Sequence, residues 1–396
     1  MPAPTLIRPG EADRIAAALA ADLETRAGRP PLAVAAAPGR VNLIGEHLDY
    51  NAGRCLPTAL PHATYAAVAG RGDRLLTVTS LQTGETRTVD LDALEPGGVP
   101  GWPAYVAGVV WALEQEGWAL PGLDVVVDSR VPIGAGLSSS AALECSVALA
   151  LLPVAGVDDS PGVRRTLRDA CVRAEGEMAG APTGGMDQSI ALEARAGQAL
   201  LLDFADATSE QVPWSPGEAG VEVLVVDTRV SHELNDGGYA ARRADCEKAA
   251  RLLGVSTLRE VEGRPEVLGE LGDDRVRRRA RHVLGELDRV GAFVSALRGG
   301  DHAALGPLLD ASHASLRDDF EVSCAELDLA VEVCREHGSL GARMTGAGFG
   351  GSAVALVPAA VLEDVTTAVT AAFARAGYRE PGYLLAPPAA GARLLR

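Results

Sequence analysis

Between positions 132 and 142 the chain reads Pro132-Ile133-Gly134-Ala135-Gly136-Leu137-Ser138-Ser139-Ser140-Ala141-Ala142. Gly134 and Gly136 let backbone amides approach an anion closely. The apolar run that follows predicts a helix from about Leu137 to Leu152, whose first amides would carry unpaired N–H groups and a partial positive charge. The hydroxyls of Ser138, Ser139 and Ser140 add oxygens for a phosphate or for Mg²⁺. This pattern favours a nucleotide phosphate, and it also suits a plain glycine turn with serine caps. Further on, Glu175 and Glu177 offer carboxylates to a hard cation, or a solvated helix face. Asp187, after Gly185-Met186, reads by itself as a turn residue or a cap.

One absence narrows the chemistry. The chain has a single lysine, Lys248, within the helical pattern of Ala244 to Leu253. A P-loop NTPase needs a lysine directly after its glycine loop, and a pyridoxal enzyme needs one for its Schiff base. Lys248 follows no such loop, so phosphate binding falls to amides, hydroxyls and arginine.

The elements that must position these groups mix strands and helices without regular alternation, which predicts an α+β fold. Ala33 to Ala37 reads as a short apolar segment ending at Pro38-Gly39, and Leu75–Ser80, Thr86–Leu91, Leu123–Asp128, Val221–Asp227 and Ser352–Val357 read as strands. Helices are expected over Arg164–Ala179, Tyr239–Leu253, Arg275–Leu297 and Ala325–His337. The polar Asp203–Gly220 stretch is the expected boundary between two domains, residues 1–205 and 206–396.

With 47% hydrophobic and 22% charged residues the composition is that of a globular protein, and aromatics at 4% leave the cores to Ala, Val and Leu. A net charge of −17 argues against nucleic acid or an anionic membrane as partner. Met1 to Arg29 lacks the pattern of a signal peptide, and Cys145–Val157 is too short an apolar run to span a bilayer. Six scattered cysteines without a CxxC pair suggest buried, reduced thiols and a cytoplasmic setting, with no zinc site. No sequence feature sets the oligomeric state, and a monomer is the simplest expectation. The basic run Arg275–Arg281 reads as an ion-paired face and Asp318-Asp319 as structural; of the seven histidines only His47 sits in a chemical motif, and Arg8 can be tied to no clamp.

Three separated motifs agree on one resemblance. The segment Pro38-Gly39-Arg40-Val41-Asn42-Leu43-Ile44-Gly45-Glu46-His47-Leu48-Asp49-Tyr50-Asn51 closely resembles the galactokinase signature. The serine loop resembles the ATP motif of the GHMP kinases, and Gly341-Ala342-Arg343-Met344-Thr345-Gly346-Ala347-Gly348-Phe349-Gly350-Gly351 resembles their third motif in its galactokinase form. Gly185-Met186-Asp187-Gln188 and the stretch from Ser312 to Cys324 match the same family. The first motif is the specific one; the other two suit any GHMP kinase.

The resemblance implies a two-domain fold with its active site in the interdomain cleft, and ATP-dependent phosphorylation of galactose at O1 to give galactose 1-phosphate. It implies Asp187 and Arg40 as the catalytic pair, the aspartate taking the anomeric proton and the arginine orienting it. Glu46, His47, Asp49 and Tyr239 would bind sugar hydroxyls, with Gly184 and Gly185 bringing backbone to the sugar. Gly134, Gly136, Leu137, Ser138, Ser139, Ser140 and Ala141 would hold ATP, with Trp102 and Tyr105 lining the adenine pocket. Glu175 with Ser139 or Ser140 would share Mg²⁺. Leu48, Gly176 and Thr183 differ from frequent family choices, and Ser231-His232-Glu233-Leu234 matches only loosely. Two other readings stand beside this one: a sugar-1-kinase for arabinose, galacturonate or N-acetylgalactosamine, and a non-catalytic sugar sensor, against which the retention of Arg40, Glu175 and Asp187 argues.

Overall fold

The computed structural model describes residues 4–181, 183–230 and 236–396. The first motif begins on the strand Ala33–Asn42, in which every residue is buried. The apolar segment expected to end at Pro38-Gly39 instead runs through them, with a register shift between Pro38 and Arg40 against the strand Pro57–Arg71. A bulge is where a strand tolerates proline and re-aims a side chain. Gly39 is required there, because a Cβ would lie 2.6 Å from the Leu137 carbonyl. The bare backbone lets the glycine-serine loop rest on the strand, and the Arg40 amide donates to that same carbonyl at 3.1 Å.

These strands belong to a six-stranded sheet in the order Arg393–Leu394, Ala33–Asn42, Pro57–Arg71, Gly122–Ser129, Leu75–Ser80 and Thr86–Asp90. All neighbours are antiparallel except Leu75–Ser80 beside Gly122–Ser129. Both faces are covered. Ala33, Ala35 and Ala37 join a core with the helices Pro103–Gln115, Ser139–Ala155 and Pro161–Arg173, while Val34 and Ala36 pack with the helix Ala12–Ala27. Burial on both sides removes the apolar–polar alternation that marks a half-buried strand.

A second sheet of four antiparallel strands, Gly341–Thr345, Ser352–Pro358, Val221–Asp227 and Gly382–Leu385, packs with the helices Asp236–Leu252, Asp274–Gly299, Leu305–Ser315, Ala325–Glu336 and Leu362–Ala376. Asp273 opens the longest of these helices by accepting from the Arg275 and Val276 amides, and Gly300 closes it in a left-handed turn. Arg54–Cys55, Gln198–Asp203 and Thr208–Pro213 form a three-stranded sheet, of which only Thr208–Pro213 lies wholly within the stretch read as a boundary. The last strand, Arg393–Leu394, returns to the first sheet, so the end of the chain completes the fold of its beginning. One core cluster unites the halves: Val41, Leu43, Ile44 and Leu48 pack among Leu287, Val290 and Met344.

Helix Pro161–Arg173 passes into a wide turn over Ala174–Met178, where the Ala179 amide bonds back to the Ala174 carbonyl at 3.0 Å. Such i→i+5 turns re-aim side chains near functional sites. The basic run is ion-paired, as its composition suggests, but Arg279 is not on the surface: it is fully buried and donates to the Asp319 carbonyl and the Glu321 carboxylate. All six cysteines are free, and among the described residues no helix is long and apolar enough to cross a membrane.

Candidate active site

Helix Ser139–Ala155 begins with an unusual cap. Ser138 stands at its N-cap with φ 58°, and its hydroxyl makes no bond to the helix's own amides. It donates instead to Asp187 Oδ2. The opening N–H groups of a 17-residue helix are therefore left without their usual side-chain acceptor, at the end where the helix dipole is positive. Unpaired N–H groups at that end suit an anion.

Asp187 lies in the first turn of helix Met186–Glu193, entered through Gly185 at φ 88°. Arg40 grips it with two parallel bonds, Nε to Oδ1 at 2.8 Å and Nη2 to Oδ2 at 2.9 Å, and its Nη1 donates to the Gly136 carbonyl at 2.6 Å. Burial disfavours the Arg40 charge, yet Asp187 and Glu46 more than offset this and raise its pKa. One guanidinium thus ties the carboxylate to the glycine loop. The third motif and the residue after it close the seam: Gly346 faces the Gly136 backbone, and Ser352 Oγ donates to the Ala135 carbonyl at 2.7 Å.

On the other side of this pair lies a cavity of about 670 Å³, lined by residues of both halves, among them Arg40, Glu46, His47, Asp49, Glu175, Thr183, Asp187, Tyr239 and Phe349. Glu46 Oε1 accepts from Thr345 Oγ1 at 2.9 Å and the Gly346 amide at 2.7 Å, with Arg343 Nη2 at 3.3 Å. Asp49 carries a pKa raised to about 6, chiefly by burial, with Asp187 and Glu46 adding to it against the Tyr50 amide. Gly184 abuts Asp49, since a Cβ there would lie 2.2 Å from Oδ2. The Tyr239 ring lies 5.6 Å from that of His47, tilted by 39°.

His47 departs from its expected role. Its Nε2–H donates to the Ala347 carbonyl at 3.1 Å and its Nδ1 accepts from the Tyr50 hydroxyl at 3.0 Å. Burial, then His282, drives its pKa down to about 3, so the ring is neutral. Both nitrogens are engaged, leaving none for a sugar hydroxyl; the ring is a wall. Leu48, a departure from the family pattern, is fully buried in the core and does not line the cavity. Ser231–Leu234 lie outside the described residues.

The wide turn aims Glu175 inward and leaves Glu177 exposed, paired with Arg173 at 2.8 Å. Glu175 Oε1 accepts from Ser140 Oγ at 2.7 Å and Oε2 from Gln188 Nε2 at 2.6 Å. Burial raises its pKa to about 7, with Asp187 adding to it against the Ser140 and Gln188 bonds. Gln188 also reaches the fully buried Glu144 at 3.1 Å. A hydroxyl beside a carboxylate is an oxygen donor set that fits Mg²⁺. Among the described residues no group of three or more His, Cys, Asp or Glu could hold a metal ion. Of the loop serines, Ser138 faces Asp187 and Ser140 faces Glu175; no side-chain bond marks Ser139.

The loop residues Gly134 to Ala141 do not line this cavity; they meet it through Arg40 and Asp187. Trp102 and Tyr105 also lie off its wall. Trp102 donates to Glu85 at 2.7 Å, and burial, then Glu175, raises the pKa of Tyr105. Gly184 and Gly185 border a second cavity, of about 750 Å³, behind helix Met186–Glu193. Of its arginines, Arg164 and Arg168 are answered by Asp159, Asp169 and Glu193. Sequence reasoning missed Glu144, Gln188, Thr345, His282 and Glu286. For Glu144 the signal is a carboxylate in the run Leu143–Leu152, whose other residues are apolar apart from Ser146.

Family models match in the same order. Models of the N-terminal and C-terminal domains of the GHMP kinases match residues 104–195 and 293–375, and with the fold they define that class. The galactokinase galactose-binding signature matches residues 22–70. The chain is 49% identical to the galactokinase of Streptomyces coelicolor, covering 93% of this chain and 95% of the relative. It is 43% identical to that of Bos taurus, over 90% and 92%. The chain belongs to the galactokinase family. A crystal structure of Lactococcus lactis galactokinase with galactose superposes at a TM-score of 0.88 with 29% identity, covering 96% of this chain and 99% of that one. Methanococcus jannaschii mevalonate kinase, at 0.65 and 14%, shares the fold.

Proposed function

We propose that this chain transfers the γ-phosphoryl group of ATP to O1 of α-D-galactose, yielding galactose 1-phosphate and ADP. The observation that carries this reading is the bidentate Arg40–Asp187 pair, which stands between an amide-rich helix start and a cavity walled by carboxylates. Asp187 accepts the proton of the anomeric hydroxyl, and Arg40 fixes its orientation through two parallel bonds and lends charge toward the γ-phosphoryl oxygens. Glu46, Asp49 and Tyr239 take the remaining sugar hydroxyls, since ionised carboxylates accept two bonds each from vicinal diols. His47, Gly184 and Gly185 shape the wall behind them. The loop from Gly134 to Ala141 cradles the phosphates, and Trp102 and Tyr105 lie toward the adenine side.

Ser140 and Glu175 would hold Mg²⁺ together with the nucleotide, where the ion neutralises charge on the β- and γ-oxygens. The division at residues 205/206 and a monomeric state belong to the same reading, as does a reducing cytoplasm, which six free thiols support. The test is ADP release with ATP and Mg²⁺ across galactose, arabinose, galacturonate and N-acetylgalactosamine. Turnover is expected with galactose; turnover with another sugar alone would reassign the substrate, and none with any would favour a sensor.

A further inference from the structure

The cavity's specific carboxylate, Glu46, is carried by a short backbone segment whose support comes from far along the chain. Gly45 has φ 100°, and a Cβ on it would lie 2.5 Å from the Arg54 carbonyl. Its amide donates to Glu286 Oε1 at 3.0 Å, across 241 positions of sequence. The carbonyl of the next residue, Glu46, accepts from His282 Nε2 at 3.3 Å. His282 and Glu286 stand one turn apart on helix Asp274–Gly299, so two neighbouring side chains grip the two ends of one dipeptide.

Both supports are themselves fixed. Glu286 Oε1 accepts from Ser312 Oγ at 2.7 Å and Oε2 from Arg289 Nε at 2.6 Å, with no exposure to solvent. Burial works against its charge, but Arg289 and, further off, Arg343 hold the carboxyl down at about 2. The Glu46 carbonyl can only accept, so His282 carries its proton on Nε2 and accepts from Ser315 Oγ at 2.9 Å on Nδ1; burial lowers its pKa to about 4. Neither residue lines the cavity.

We propose that Glu286 and His282 are positioning residues that set sugar affinity by clamping the Gly45–Glu46 peptide, so that the Glu46 carboxylate meets the substrate at a fixed angle. The clamp rests on the galactokinase reading of the site. It acts on the sugar half alone, because the glycine loop is anchored separately through Arg40 and Ser352. Glutamine is no substitute at 286: whichever way its amide turns, an NH₂ group faces either the Gly45 amide or Arg289.

The experiment is steady-state kinetics of wild type, Glu286→Gln, the double variant Glu286→Gln/Arg289→Gln, and Ser312→Ala. Glu286→Gln is expected to raise the KM for galactose about 10- to 100-fold while the KM for ATP stays within about twofold. The double variant, whose second glutamine offers the stray NH₂ an acceptor, is expected to recover most of that loss. An unchanged galactose KM in folded Glu286→Gln, or a parallel rise in both KM values, overturns the clamp. If Glu286→Gln does not fold, Ser312→Ala carries the test, with an expected rise of about fivefold in galactose KM; no rise overturns the proposal. Wild type inactive on galactose would instead count against the functional reading itself.

Discussion

Replacing Asp49 by asparagine should make the protein more stable and nearly inactive at the same time. The carboxyl of Asp49 is pushed from the usual 3.8 to about 6, chiefly by burial, with Asp187 and Glu46 adding repulsion. That difference is worth at most about 3 kcal/mol, an upper bound because part of the side chain faces the cavity and solvent screens it. The sign follows from linkage. Well below pH 4 the carboxyl is protonated in folded and unfolded chains alike, and no cost arises. As pH rises toward about 6 the unfolded chain ionises first, the folded state loses ground, and above that the full cost is present.

The asparagine side chain is neutral throughout, so Asp49→Asn should lie closest to wild type near pH 4 and exceed it most at pH 8. With about 2 cal/mol/K of unfolding entropy per residue, 396 residues would gain up to about 4 °C in melting temperature. The same change removes a hydroxyl acceptor, and kcat/KM for galactose should fall at least about 100-fold. In wild type, kcat/KM for galactose should climb with pH through about 6 as Asp49 ionises. Melting curves from pH 4 to pH 8, beside sugar kinetics, check both halves. Equal melting temperatures at pH 8 would mean that the folded state bears no cost for this charge, and the reasoning would be wrong.

Asp187→Asn keeps the shape of the side chain but loses its charge; kcat should drop about 10²- to 10⁴-fold while ATP binding, followed by calorimetry, is retained. Gly184→Ala would set a methyl 2.2 Å from Asp49 Oδ2 and displace the carboxylate, so the galactose KM should rise about tenfold or more with the ATP KM unaltered. Glu175→Gln should weaken Mn²⁺ binding in the presence of nucleotide about 10- to 100-fold, read by electron paramagnetic resonance rather than by turnover.

The chemistry-bearing motifs were legible because their residue types serve a purpose that apolar packing does not: glycines beside serines at a helix start, acids beside a histidine. What joins them was not. The strand Pro57–Arg71, with its two prolines and many alanines, lies buried on both faces and shows no alternation, so no strand was expected there. Helix Met186–Glu193 is too short to announce itself by periodicity, and Asp187 looked like a turn residue. His282 and Glu286 sit beside the apolar positions Val283 and Leu287 on an amphipathic helix, where charge reads as surface; only the fold brings Gly45 to them. His47 fell the other way. Its motif suggested a ligand, and its two protein partners leave no nitrogen free.

The sequence also poses an electrostatic problem that the site resolves: how an acidic chain with one lysine holds a polyanion. Arg40 is neutralised by Asp187, and Arg343 lies against Glu46, so neither offers its charge to a phosphate from a distance. Lys248 pairs with Asp273, on the helical C-terminal half. What remains for the nucleotide is short-range: helix amides released by the diverted Ser138 cap, hydroxyls, and a cation brought with the ligand. Short-range donors are little screened by salt, whereas the repulsion between a −17 chain and ATP is screened. The KM for MgATP should therefore stay level or fall between about 50 and about 300 mM salt. A severalfold rise over that range would mean that unpaired arginines, and not the helix start, carry the phosphate.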